Sequence, residues 1–158
     1  MISTWRIGTE TAAYKADDIS GLGAKLTGGR WNRVGTAIVY TSTTQALACL
    51  ETIVHFNAKD LPLNRYLVRF DIPESIWKKR ETLTVDVLDV SWDALPAGLT
   101  SLDIGDTWVK ENRSCLLEVP SVIVPEELNV LINPAHPDMK GIVATIIRKW
   151  LYDARLTI

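Results

Sequence analysis

Gly28-Gly29-Arg30-Trp31-Asn32 begins the stretch that organises this chain; it runs on through Ala37-Ile38-Val39-Tyr40-Thr41 to Glu51. A glycine pair frees the backbone for close approach. An arginine, an indole and an amide follow. Ala37–Thr41 is β-branched and aromatic, the signature of a strand. Ser42 or Thr43 then offers a hydroxyl cap to a helix over Thr44–Phe56. On that helix Leu47, Cys49, Leu50, Ile53, Val54 and Phe56 share one half of the wheel, with Ala48 and Thr52 opposite. Glu51 and His55 stand four residues apart at the margin of the apolar half, where a carboxylate either pairs with the histidine on the surface or points into a cleft.

Outward from this stretch, Ile2–Ile7 reads as a first or edge strand, in which Arg6 alone would be a solvated edge arginine. Thr11–Ala16 reads as a short helix, and Ile19–Gly29 as a long glycine-punctuated loop. The loop is neither a Walker loop, lacking Gly-Lys-Ser/Thr, nor the dinucleotide fingerprint, because Leu26 stands where the third glycine belongs. Asn64–Ile72 alternates: Tyr66, Val68, Phe70 and Ile72 face one way, Arg65, Arg69 and Asp71 the other, as in a half-buried strand. Pro73 ends it, and one helical turn over Glu74–Lys79 follows. Leu83–Val90 is read as a strand, Ser91–Ala97 as irregular with Trp92 as anchor, and Leu102–Glu111 as a helix carrying Trp108 and Val109. Cys115–Val119 and Val122–Val124 read as short strands around Pro120-Ser121, where the local reading of the serine is a turn-former. Asn133–Asp138, with two prolines, is a stiff loop holding His136. Gly141–Ile147 reads as a last buried strand, and Trp150–Ile158 closes the fold. Strands and helices without βαβ regularity define an α+β class, with a mixed, mainly antiparallel sheet and flanking helices.

Composition bounds the rest. At 158 residues the expectation is a single domain spanning 1–158. The chain is 47% hydrophobic and 23% charged, which suits a globular core, and its net charge of −2 supplies no overall basic field for nucleic acid. Cys49 and Cys115 each sit in an apolar run and read as buried thiols in a reducing compartment. No Cys/His pair has metal spacing, so no metal is expected. The N-terminal residues show no apolar secretion core and no run reaches about 18 apolar residues, so a cytoplasmic protein without membrane contact is expected.

No Ser-His-Asp set and no carboxylate pair is visible. What remains is Arg30, Tyr40 and Glu51. An arginine forks onto phosphate, a carboxylate steadies an oxocarbenium-like centre, and a tyrosine stacks on or orients a flat ring. NAD is the substrate that joins phosphates, a labile cationic N-glycosidic bond and a flat leaving group.

Trp5-Arg6-Ile7, Gly28–Asn32, Val39–Thr41, Ala46–Glu51, Val119-Pro120-Ser121, Asn129, Asn133-Pro-Ala-His136-Pro and Tyr152–Leu156 follow one another in an order and spacing that resemble the RES-domain family, toxins of Xre-RES toxin–antitoxin systems. The resemblance spans nearly the whole chain. The family's arginine, glutamate and serine fall on Arg30, Glu51 and Ser121, with Ser114 as the fallback serine. The resemblance implies a fold similar to the ADP-ribosyltransferase toxins. It implies NAD degradation at the nicotinamide–ribose bond, by phosphorolysis or hydrolysis, with inorganic phosphate as co-substrate and no bound cofactor. Transfer of ADP-ribose to a protein is the alternative, and a non-catalytic partner-binding module the second. Arg30, Tyr40, Glu51 and Ser121 would then be catalytic, with Ser121 bonding the ribose, the amide or the phosphate. Arg6, Gly29, Trp31, Asn32, His55, Asn133 and His136 would bind NAD around them. The implied partner is an Xre-type helix-turn-helix antitoxin that carries the DNA contacts. Oligomeric state stays open between a homodimer and a higher-order toxin–antitoxin complex.

Overall fold

The computed structural model describes residues 1–56 and 61–156. One seven-stranded sheet organises them: β1 (Ile2–Thr9), β2 (Val39–Ser42), β3 (Arg65–Ile72), β4 (Glu81–Thr82), β5 (Leu116–Pro120), β6 (Leu128–Ile132) and β7 (Val143–Lys149). Their spatial order is β4-β5-β6-β2-β1-β3-β7. Every pairing is antiparallel except β4 with β5. Four helices flank it: α1 (Leu22–Thr27), α2 (Gln45–Ile53), α3 (Glu74–Trp77) and α4 (Leu99–Glu111). The α+β class with a mainly antiparallel sheet is as the sequence implies.

The alternation of β3 holds, with Val68, Phe70 and Ile72 fully buried among Val130, Ile132, Leu116 and Ile142 on one face. The other face carries two separate cores. One gathers Trp31, Ile38, Trp92, Trp108, Leu117, Val119 and Leu131; the other gathers Ile7, Ala48, Leu67 and Tyr152. Between them β1 and β2 separate. They share only the Trp5–Ser42 register pair, whereas β1 pairs with β3 along its whole length. An opening in the sheet therefore lies where Arg6–Thr9 and Ile38–Thr41 part.

Several expectations are corrected. The first strand is interior, not an edge, because β2 and β3 flank it. Thr11–Ala16 is a turn rather than a helix, and the helix lies instead inside the glycine loop, at α1. The α2 cap is Thr44, whose hydroxyl accepts from the Leu47 N–H; Ser42 and Thr43 bond to β6. Ala48, placed opposite the apolar half, is buried beneath α2. Leu83–Val90 is not a strand: after one bond from the Leu83 N–H to the Glu118 carbonyl at 2.9 Å it forms a 3-10 turn at Val85–Val87, with Val85, Val87 and Val90 exposed. Val122–Val124 is a turn. The last strand, read as buried, is the mostly exposed edge β7. Of the closing segment Trp150–Ile158, residues 157–158 lie outside the described residues.

Candidate active site

A cleft of about 950 Å³ opens where β1 and β2 part, a volume suited to a dinucleotide-sized ligand. Arg6, Gly29, Arg30, Trp31, Tyr40, Glu51 and His55 all line it. Seven of the eleven residues singled out in the sequence thus meet in one place, contributed by β1, the glycine loop, β2, α2 and the turn after α2.

The glycine loop is built to hold Arg30 out. Gly28 adopts φ +74°, and a Cβ on Gly29 would stand 2.8 Å from the Tyr40 hydroxyl. Asn32 is fully buried and donates to the carbonyls of Ala24, Arg33 and Thr36 at 2.9–3.1 Å, while its Oδ1 accepts from the Tyr40 hydroxyl at 2.6 Å. Asn32 is therefore the keystone of the loop and does not face the cleft. The Tyr40 oxygen also accepts from the Trp31 N–H at 3.1 Å, so the hydroxyl is engaged and the ring is what it offers to a ligand. Burial pushes the phenol above its ordinary range and keeps it neutral. Helix α4 clamps the loop from behind: a Cβ on Gly105 would lie 1.6 Å from the Trp31 carbonyl oxygen, and Arg33 pairs with Asp103 and Asp106.

Arg30 uses Nη1 to donate to the Trp92 and Ala94 carbonyls at 3.1 and 2.8 Å. Burial lowers its pKa, with Asp93 and Glu51 opposing. Arg6 is no solvated edge residue. Its Nη2 donates to the carbonyls of Ala16 and Asp18 at 2.6 and 2.8 Å, and its guanidinium lies 5.0 Å from the Phe70 ring. Burial lowers its pKa to about 10, so it stays cationic at neutral pH.

Glu51 is a hydrogen-bonded carboxylate on the cleft wall. It does not bond to His55, which is exposed on the rim. Its Oε1 accepts from the Ser121 hydroxyl at 2.6 Å and from Asn129 Nδ2 at 2.7 Å. Among the described residues Oε2 has no hydrogen-bond partner, so it remains for a ligand. Ser121 is fully buried, and its oxygen accepts from the N–H groups of Ile123 and Val124 at 3.1 and 3.2 Å. It is both turn-former and site residue. Its proton is given to Glu51, and its own side chain does not line the cleft. The fallback, Ser114, instead bonds Trp108 and Glu81.

Asn133 and His136 do not line the cleft. Asn133 is fully buried and donates to Asn112, while His136 Nδ1 caps a 3-10 turn by accepting from the Asp138 N–H. Sequence reasoning passed over Asn129 as a site residue and missed Ser42 and Lys15, all on the cleft wall. The alternation of β6 places Asn129 on the same face as Leu131, and a polar residue on an inward face is the signal that marks it. Among the described residues no three His, Cys, Asp or Glu side chains gather to hold a metal, and no helix is long and apolar enough to cross a membrane.

Fold and site together define an α+β domain with a parted sheet, whose cleft sets arginines beside one oriented carboxylate. A family model described as the RES domain matches residues 3–154, and the chain belongs to the RES-domain family of toxins. A protein of Sphingobium sp. (strain YBL2) named Prs ADP-ribosylating toxin is 58% identical over 154 residues, covering 98% of this chain and 96% of its own. Proteins named Toxin Res from Photorhabdus laumondii and Yersinia enterocolitica are 39% and 34% identical, covering 82% and 84% of this chain and 81% and 86% of their own. A chain in the crystal structure of the M. tuberculosis MbcT–MbcA toxin–antitoxin complex superposes with a TM-score of 0.62 over 93% of this chain and 84% of its own; at 14% identity the likeness is one of fold.

Proposed function

We propose that this protein is the toxin of a toxin–antitoxin pair and cleaves the nicotinamide–ribose bond of NAD. The observation that supports the reading best is Glu51, held through one carboxylate oxygen and open through the other, in the cleft that also receives Arg30. In this reading Arg30, with its Nη2 and Nε unspent on the backbone, grips the pyrophosphate, and the Tyr40 ring packs on the flat nicotinamide. Glu51 Oε2 bonds the ribose hydroxyls and steadies the positive charge that grows at the anomeric carbon. The C–N bond breaks with its electron pair passing to nicotinamide, which leaves neutral, and a nucleophile closes the bond to the ribose. Arg6 braces the cleft wall at Ala16 and Asp18 and adds positive charge behind it.

The nucleophile on this reading is a protein side chain, supported by the 58% identical relative that is named for ADP-ribosylation of Prs. Phosphorolysis is the second reading. It is favoured by the free edge of Arg30 and by Lys15, which also lines the cleft, cations able to seat a phosphate. A helix-turn-helix antitoxin of the Xre type, covering the cleft and carrying the DNA contacts, is the partner proposed.

The deciding experiment incubates the purified chain with NAD, alone, with inorganic phosphate, and with Prs protein, following nicotinamide release and labelled ADP-ribose. Release that labels Prs fixes the protein acceptor. Release that needs phosphate and yields a sugar phosphate fixes phosphorolysis, and release needing neither fixes hydrolysis. No release under any condition sinks the enzymatic reading and leaves a partner-binding module.

A further inference from the structure

The two residues that donate to Glu51 Oε1, Ser121 and Asn129, do not exhaust the polar chain beneath it. Asn129 lies in β6 directly opposite Ser42 of β2 and Val119 of β5. Its Nδ2 donates to Glu51 Oε1 at 2.7 Å, and its Oδ1 accepts from the Ser42 hydroxyl, also at 2.7 Å. Ser42 is buried and Asn129 half-buried, both at the cleft wall. An ionised carboxylate only accepts hydrogen bonds, so the amide must turn its NH2 toward Glu51. Its oxygen then needs a donor on the far side, and Ser42 is that donor. Flipping the amide would set oxygen against oxygen at Glu51 and leave the Ser42 proton facing an NH2.

We propose that Asn129 and Ser42 are positioning residues, a lock that decides which carboxylate oxygen Glu51 presents to the cleft. This inference rests on the proposed reaction at Glu51. Ser121 and Asn129 approach the same oxygen from two places, the residue just after β5 and the start of β6. The second oxygen is left out of the network. A glutamate on a helix end turns about three side-chain bonds. Two donors on one oxygen remove that freedom before a ligand arrives, which is the preorganisation that transition-state stabilisation requires. Ser42 acts one step further back, by keeping the amide from flipping. A merely structural role, satisfying buried polar atoms, predicts a different pattern: lost stability with turnover unchanged.

The test uses the full chain, free of antitoxin, as Asn129→Ala and Ser42→Ala, with thermal unfolding as the check of folding. Initial rates of nicotinamide release give kcat and KM for NAD. For Asn129→Ala kcat falls on the order of 10- to 100-fold, the loss of one charge-assisted hydrogen bond, with KM nearly unchanged. Ser42→Ala loses less, in kcat again. A folded Asn129→Ala protein with parental kcat overturns the proposal. So does a raised KM at constant kcat, because that marks a ligand contact instead of a positioning residue. If Asn129→Ala does not fold, Ser42→Ala decides by the same criteria.

A second readout needs no turnover. The side-chain amide signal of Asn129 in a nitrogen-15 NMR spectrum of the ligand-free protein shifts in both Ser42→Ala and Glu51→Gln. A signal that moves in neither overturns the lock. Should the parent release no nicotinamide, the NAD reading falls, and the amide signal alone still decides whether the lock exists.

Discussion

Strand β5 has a buried serine on a glutamate at each end, and the two pairs are built to opposite purposes. Before the strand, Ser114 shares its proton between Glu81 Oε2 at 2.8 Å and the Leu116 carbonyl at 2.9 Å, and accepts from the Trp108 indole at 2.9 Å. Arg113 takes the other oxygen of Glu81 at 3.3 Å. Both oxygens are spent, and the result ties α4 to the sheet. After the strand, Ser121 holds Glu51 by one oxygen, Asn129 joins on that same oxygen, and the other faces a cleft. The same two residue types thus give a closed structural tie at one end and an open chemical group at the other. What separates them is the number of donors left over for the second oxygen.

The sharpest way to break this comparison is to remove the charge at the open end. Glu51→Gln keeps the shape and should lower nicotinamide release by about 10²–10³-fold, a loss of about 2–4 kcal/mol in the transition state, with the melting temperature unchanged. Next comes the clamp behind the loop. Gly105→Ala forces a methyl into the Trp31 carbonyl and should cost about 1–3 kcal/mol of stability in denaturant unfolding, with the site loop displaced. The two serines then divide as their surroundings do. Ser121→Ala should lower kcat about tenfold at nearly constant KM, as one donor of two is lost. Ser114→Ala leaves the Trp108 indole N–H without its buried partner, and should cost about 1–3 kcal/mol of stability while the folded fraction keeps its specific activity. If Ser114→Ala cuts turnover and Ser121→Ala only melts the protein, the comparison is reversed.

A pH-dependent effect lies in Cys115, beside the closed end. Burial raises its thiol to about 12 from the ordinary 9.0. An acid whose folded pKa is raised contributes stability that is complete below pH 9 and lost as pH rises toward 12, because only the unfolded chain releases the proton easily. Unfolding of the parent should therefore become easier across that window, and Cys115→Ala should flatten the dependence. The same burial predicts no reaction of Cys115 with thiol reagents at pH 8 in the native protein.

The residues carrying charge on the glycine loop and α2 were legible because they are local. A glycine pair, a strand and an amphipathic helix follow one another, and Arg30, Tyr40 and Glu51 fall on one cleft without any knowledge of distant strands. The alternation in β3 was legible for the same reason. Pairing was not. Leu83–Val90 alternates as well as many strands, yet pairing with β5 stops at the Leu83 N–H, and Val85, Val87 and Val90 face water. Val143–Lys149 is apolar enough for a buried strand but falls at the sheet edge. Arg6 reads as solvated only until β2 and β3 are known to flank its strand. Periodicity says which side a residue faces, and not what stands there. The same limit explains Ser121: its local context gave a turn, and its bond to Glu51 spans 70 positions.

The strand order has one consequence for how such a protein is made. Strand β6, from late in the chain, sits beside β2 with β5 beyond it, so the sheet under Glu51 is assembled from both halves of the sequence. Asn129 follows Glu51 by 78 positions. At the pace of a ribosome, roughly 5–20 residues per second, Arg30, Tyr40 and Glu51 exist for about 4–16 seconds before the floor that orients them has been synthesised. A nascent chain of this protein carries Glu51 long before Asn129 exists to orient it, and the translating cell meets the finished cleft only once β6 has emerged.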